Sequence, residues 1–204
     1  MKIIFLLFSL LFSILTFAQQ DTLGKTRYTP EFRFKTGIFM SFEEFQHNEP
    51  SIINFRIKKK GNFNDGIIFE YKCEDDSNLW CETENCWGYS ENGNVYISQK
   101  FANKYFRIQI IGALIHYIRF DGYDYRDMGY SYNYYMQTTA VPRFNEFFLD
   151  FDTGNSYLFT YKIFSEFLKN KDEELYKKLM NTKKKKKIYT HFLFKYNEKH
   201  PIYF

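Results

Sequence analysis

The chain has 204 residues, among them 25 Phe, 18 Tyr and 2 Trp, with 28 Lys and Arg against 24 Asp and Glu for a net charge of +4. So many aromatics exclude intrinsic disorder, because disordered chains lack the apolar surface that offsets chain entropy. With 10 Gly and 4 Pro it is no collagen-like or low-complexity linker either. The length favours one domain with a core that stands without staples. Phe, Tyr, Ile, Lys and Asn, all encoded by A/T-rich codons, are abundant, while Ala occurs only at Ala18, Ala102, Ala113 and Ala140. Most of the aromatic excess therefore reads as a core drawn from a biased codon pool.

Residues 1–18 open with Lys2, continue through an apolar run from Ile3 to Phe17, and end Thr16-Phe17-Ala18, with small residues at −3 and −1 before Gln19-Gln20. This is the pattern of a cleavable secretory signal. An uncleaved anchor is disfavoured, since the run falls short of the roughly 20 residues a spanning helix needs. Cleavage leaves 27 basic against 24 acidic residues, a mild balance that gives no reason to expect a nucleic-acid partner. No later stretch is a membrane span. Residues 105–120 come nearest and carry Arg107, Gln109, His116 and Arg119.

Residues 19–30, polar and holding Gly24 and Pro30, read as a flexible leader to a single globular domain over 31–204. A strand is expected over 32–40, then a capping box at Ser41 and Glu44 opening a short helix with Phe42 and Phe45 on one face, ended by Asn48 and Pro50. Residues 52–59 alternate Ile53, Phe55, Ile57 with Asn54, Arg56, Lys58, the period of a half-buried strand. A second strand is expected over 66–73 and an acidic loop over 74–85. A hairpin through Asn92-Gly93 joins 87–90 to 95–97. Residues 104–120, apolar on both faces, read as one central strand bent at Gly112. Residues 121–143 read as a long Tyr-rich loop, and 144–151 with 156–159 as a second hairpin. Thr160 and Asp172 are N-caps of two C-terminal helices, with Ile163, Phe164, Phe167, Leu168 and then Leu175, Leu179, Met180 turned inward. The five lysines 183–187 close the second of these, and a last strand over 188–196 precedes a terminal turn. The expected class is α+β, a mostly antiparallel sheet with one short helix in the N-terminal half and two C-terminal helices.

Gly37 to Phe45, Trp87-Gly88-Tyr89 with Asn94 to Ile97, Asp152-Thr153-Gly154, and Lys195 to Pro201 resemble, in the same order, a group of uncharacterised secreted proteins of gram-negative bacteria. The resemblance implies export and brings no activity, ligand or catalytic residue. The cysteines and the Tyr-rich segment fall outside the shared pattern.

Cys73, Cys81 and Cys86 allow three pairings, and in an exported chain one disulfide and one free thiol are expected, with Cys73–Cys86 the favoured pairing. A zinc site would need a fourth ligand such as His116 or His191 and lacks a C-x2-C pair. No nucleophile elbow, P-loop or dinucleotide fingerprint occurs. The four His form no metal-binding spacing, and His116 reads as a hydrogen-bonded core residue. No catalytic residue, metal or cofactor is therefore assigned, and the chain points away from an enzyme. The lysine run offers two readings, an anionic lipid surface or a solvated helix C-terminus where cations complement the dipole, and the second is preferred.

Tyr123, Tyr125, Tyr130, Tyr132, Tyr134 and Tyr135, interleaved with Asp, Gly, Ser and Asn, carry the chemistry of binding loops: rigid amphipathic area beside adaptable hydrogen bonding. These are the candidate ligand-binding residues, with a glycan or an envelope protein as partner. The function expected is a non-catalytic binding or cell-envelope interaction module, secreted or periplasmic. The alternatives are an exported hydrolase whose site assembles only in the fold, and a structural part of a larger surface assembly.

Overall fold

The structure, a computed structural model, describes residues 24–59, 66–73, 79–83, 85–99, 104–130 and 136–204, with the backbone alone at 59, 99, 126–130 and 136–138. The expected signal over 1–18 and the first residues of the leader lie outside the described residues. What is described of the leader is tied down. The Thr26 N–H donates to the Phe204 carbonyl at 2.7 Å, and the Tyr28 N–H to the Ile202 carbonyl at 3.0 Å.

The class is α+β. In chain order the elements are β1 (Gly37–Phe39), α1 (Phe42–Gln46), β2 (Phe55–Lys59), β3 (Ile67–Lys72), β4 (Trp80–Thr83), β5 (Gly88–Glu91), β6 (Asn94–Gln99), β7 (Lys104–Ile110), β8 (Leu114–Tyr130), β9 (Met136–Asp150), β10 (Ser156–Leu158), α2 (Tyr161–Lys171), α3 (Glu173–Asn181) and α4 (Lys185–Lys199). A seven-stranded sheet runs β1-β5-β6-β7-β8-β9-β10 and a three-stranded sheet runs β2-β3-β4. Every strand pair is antiparallel.

Alternation along the strands decides what covers each face. One face of the large sheet presents Phe39, Val95, Ile97, Ile108, Ile115, Tyr117, Phe147 and Leu149 to a cluster closed by Phe34, Phe45 of α1, Phe151 and Ile202. The opposite face has two covers. Ile38, Tyr89, Tyr96 and Tyr105 pack on Phe69 and its neighbours in the small sheet. Leu114 and Phe148 pack beneath the helices, on Phe164, Leu168, Leu175, Leu179, Phe192 and Leu193.

Six sequence expectations differ from the structure. Residues 104–120 are two strands, β7 and β8, joined by a reversal over 111–113, because Ile111 and Ala113 pack into the first cluster at the turn itself. In the expected loop over 121–143, the described residues 121–130 and 136–143 instead continue β8 and β9 as a two-stranded ribbon. Residues 80–83, expected as loop, form β4, with Tyr71 opposite Cys81. That pairing returns Cys81 beside Cys73, so the disulfide is Cys73–Cys81 and not Cys73–Cys86. Closing so short a loop contributes about 2–3 kcal/mol in the chain-entropy account. Cys86 is free and buried between the two sheets against the Tyr105 hydroxyl at 3.1 Å, and burial pushes its thiol up to about 11, far from a reactive thiolate. Finally, 188–196 is helical, part of α4. Phe192, Leu193 and Tyr196 are its buried residues, a helical spacing that tertiary packing imposes on a β-prone stretch. The lysine run consequently opens α4 rather than closing α3.

Asp172 organises the helical layer. It is buried, accepts from the Leu175 N–H at 3.0 Å as N-cap of α3, and meets Lys199 at 2.9 Å and His200 Nε2 at 3.0 Å from the far end of α4. Burial alone would raise its carboxyl. The Leu175 N–H, Lys199 and His200 outweigh that and hold it at about 2. A carboxylate depressed in the folded state stabilises above its unfolded value and loses that contribution as pH falls through the folded one. About 2 kcal/mol should thus disappear between pH 4 and pH 2. Asp172→Asn, which keeps a capping side chain but no charge, should flatten this limb of a urea-denaturation series against pH. An unchanged limb would place the acid sensitivity elsewhere.

Candidate functional site

The β8–β9 ribbon is one-sided, and its register explains why. Phe120 lies opposite Phe144, but Tyr123 lies opposite Pro142, so β8 carries one extra residue at 121–122. Gly122 sits there at φ +103°, a backbone region that only glycine enters without strain. Because the bulge absorbs one residue, Tyr123 and Tyr125, opposite Pro142 and Ala140, join the face of Ile118, Phe120 and Phe144. Without it the two tyrosines would point the other way.

That face is open. Tyr125 is 73% exposed, Phe144 60%, Tyr123 44% and Ile118 38%. Phe120 holds the group together, with ring centroids 5.1 Å from Tyr123 and 5.7 Å from Phe144. Carrying the β7–β8 register from Ile108 opposite Tyr117 puts the exposed Arg107 opposite Ile118, on the same side. The open strip thus starts on the sheet between its two covers and runs out along the ribbon. Among the described residues, the ribbon's strands beyond 121 pair only with each other. At about 3.3 Å per residue the stretch from Gly122 to Tyr130 reaches roughly 30 Å.

The other side is polar and bonded within itself, except that Arg119 Nε is buried without a hydrogen-bond partner among the described residues. Arg119 donates to Asp121 Oδ1 at 3.1 Å and Asn145 to Asp121 Oδ2 at 2.5 Å. Arg143 donates to the Asp121 carbonyl at 2.9 Å and to Asp124 at 3.1 Å. These bonds clamp both flanks of the bulge. Arg119 also lies over the Phe147 ring at 4.1 Å. The charges of this side pair with one another, and the aromatic side stays exposed.

Of the six tyrosines singled out in the sequence, Tyr123 and Tyr125 come together here. Tyr130 is placed in β8 by its backbone opposite Met136. Tyr132, Tyr134 and Tyr135 lie outside the described residues. Phe144 and Ile118 were missed, because they join the strip only through strand pairing. The available signal was alternation either side of 121–143, which would have extended both neighbouring strands into one hairpin.

Apart from the Asp172, Glu174, Lys199 and His200 cluster of the helical layer, the other histidines and cysteines among the described residues do not gather into a site. His116 is buried at 7% exposure, with Nε2 3.2 Å from Glu146 Oε2, its ring against Phe159, and Nδ1 without a partner among the described residues. His47 Nδ1 donates to the Glu43 carbonyl, and His191 is exposed on α4. Two of the three cysteines a zinc site would have used are joined in the disulfide, and among the described residues no three His, Cys, Asp or Glu side chains are grouped to hold a metal. No described helix is long and apolar enough to cross a membrane. No family model, curated protein or solved structure matches the chain.

Proposed function

We propose that this is an exported, non-catalytic binding module whose contact surface is the aromatic strip of the β8–β9 ribbon. The observation that carries the reading is the bulge at Gly122. It turns Tyr123 and Tyr125 onto the side of Phe144 while a polar lattice on the other side holds the ribbon's shape. Exposed tyrosine and phenylalanine on a preorganised backbone supply binding area at low entropic cost. The partner is a glycan, whose ring faces stack on such residues, or a protein of the envelope. Export is supported by the pattern of 1–18 and by the Cys73–Cys81 bridge, which suits an oxidising compartment. The hydrolase alternative has its best support in His116 with Glu146. A general base must reach the proton it takes, and His116 lies buried against Phe159.

The test compares wild type with Tyr123→Ser/Tyr125→Ser/Phe144→Ser on a glycan array and against detergent-solubilised envelope protein. Because all three side chains are exposed, the melting temperature should move by only a few degrees. Binding should fall at least tenfold, in keeping with about 1–2 kcal/mol for each aromatic anchor. Full binding by the folded triple variant would remove the proposal.

A further inference from the structure

The lysine run is not where a structural role would put it. The chain carries 28 basic and 24 acidic residues, so setting aside Lys183 to Lys187 leaves 23 against 24. The whole excess of positive charge is concentrated in five consecutive positions. They straddle the junction from α3 to α4: α3 ends at Asn181, Lys184 is the N-cap of α4 in the left-handed region at φ 58°, and Lys185 begins the helix. A helix N-terminus is the positive end of the macrodipole and favours carboxylates. Here the first turn holds no acidic residue and the cap makes no side-chain hydrogen bond. Among the described residues, Lys185 is the one lysine of the run with a side-chain hydrogen bond, donating from Nζ to the Met180 carbonyl of α3 at 3.2 Å. Lys183, Lys184, Lys186 and Lys187 are exposed, and among the described residues none is in an ion pair. By contrast, the neighbouring Lys177, Lys178 and Lys199 are all paired, with Glu173, Glu174 and Asp172.

Four ammonium groups that repel one another and the helix end lower stability, and the fold returns nothing for them. We propose that the start of α4 is a docking surface for an anionic phospholipid bilayer. The composition suits a diffuse surface better than a phosphate pocket. The run is lysine throughout, a hydrated point charge at each position, with no guanidinium to form the bidentate fork of a specific phosphate site. An apolar anchor lies on the same side. Lys187, His191 and Phe194 fall within one stripe of the α4 surface, at spacings of four and three, and Phe194 is 45% exposed. A phenylalanine beside lysines is the arrangement by which helices rest at a headgroup boundary. This surface is separate from the aromatic ribbon and stands without it.

The test is co-sedimentation of the purified chain with vesicles of phosphatidylglycerol and phosphatidylethanolamine, with phosphatidylcholine vesicles as the neutral comparison. Wild type should pellet with the anionic vesicles in 0.05 M salt, stay in solution with the neutral ones, and be released at 0.5 M salt, where screening is short-ranged. Lys183→Gln/Lys184→Asn/Lys186→Gln/Lys187→Gln leaves Lys185 in place and uses a residue that tolerates the left-handed region at 184. It should weaken partitioning roughly a hundredfold or more, at about fivefold per lysine, with a melting temperature unchanged or higher. Phe194→Ser should weaken it further without altering the salt dependence. Lys177→Gln/Lys178→Gln, which removes the same kind of charge from paired positions, should change it less than fivefold. Failure of wild type to bind anionic vesicles overturns the proposal. So does equal loss from the paired-lysine variant, or release of bound protein by soluble inorganic polyphosphate at a lower charge concentration than the vesicles present.

Discussion

Phe148→Ala is expected to lower stability by about 3–5 kcal/mol, the range for deleting a fully buried ring. Phe148 is 0% exposed and stands on the sheet face that the helices cover. Its ring lies 5.2 Å from Tyr157 in a stacked arrangement and 5.7, 5.6 and 5.2 Å from Phe159, Phe164 and Phe167 edge-on. Two of these partners belong to α2 and two to the segment around β10, so one side chain fixes both to β9. Neighbours that are themselves rigid rings cannot collapse into the space, which places the cost in the upper part of the range. Urea denaturation should show the loss with little change in the denaturant slope. Phe148→Leu, which keeps much of the apolar volume, should recover all but the aromatic-pair contribution of about 0.5–1.5 kcal/mol. A cost below about 1 kcal/mol for Phe148→Ala would show that the helices are not seated on this ring.

The same ring shows what the aromatic composition means. Phe39, Phe45, Phe69, Phe148 and Phe164 are among the largest fully buried side chains. They do the work that leucine and valine do in less biased sequences, so the excess is mostly core. Local chemistry was legible wherever one short stretch decides its own conformation. Ser41 accepts from the Glu44 N–H at 3.2 Å, Thr160 from Ile163 at 3.4 Å and Asp172 from Leu175 at 3.0 Å, each as its spacing predicts. The Asn92-Gly93 hairpin forms with Ser90 opposite Val95. What was not legible depends on distant partners. Residues 188–196 are rich in β-prone side chains, and only the facing layer of α2, α3 and the sheet makes their helical spacing the one that buries Phe192, Leu193 and Tyr196. The disulfide pairing required β4, and β4 required β3 to pair with. In the candidate site, Tyr123 and Tyr125 could be picked out by composition. Their common face with Phe144 could not, because a single bulged residue reverses which way a strand's side chains point.

Asn197→Ala is expected to cost about 2–4 kcal/mol, although the residue lies on a helix and deletes little apolar area. Its side chain acts as a strand. Oδ1 accepts from the Leu114 N–H at 2.7 Å, and Nδ2 donates to the Leu114 carbonyl at 2.9 Å. Leu114 begins β8, where β7 has already turned away, so its backbone pair would otherwise face no partner in a fully buried position. Each buried backbone group left unsatisfied costs about 1–3 kcal/mol. Gly112 makes the contact possible: a Cβ there would stand 2.4 Å from both Cγ and Nδ2 of Asn197, so the amide has room only against a glycine. Gly112→Ala should therefore act mainly by displacing Asn197 and cost nearly as much. The consequence is a strongly coupled pair. Once Asn197 is alanine only its Cβ, 2.9 Å from the new methyl, remains in the way, and Gly112→Ala should cost much less in the Asn197→Ala background than it does alone. Denaturation midpoints for the four proteins of this cycle measure the coupling directly. Additive costs would mean that Gly112 is required for the conformation of the β7–β8 reversal and not for the approach of α4.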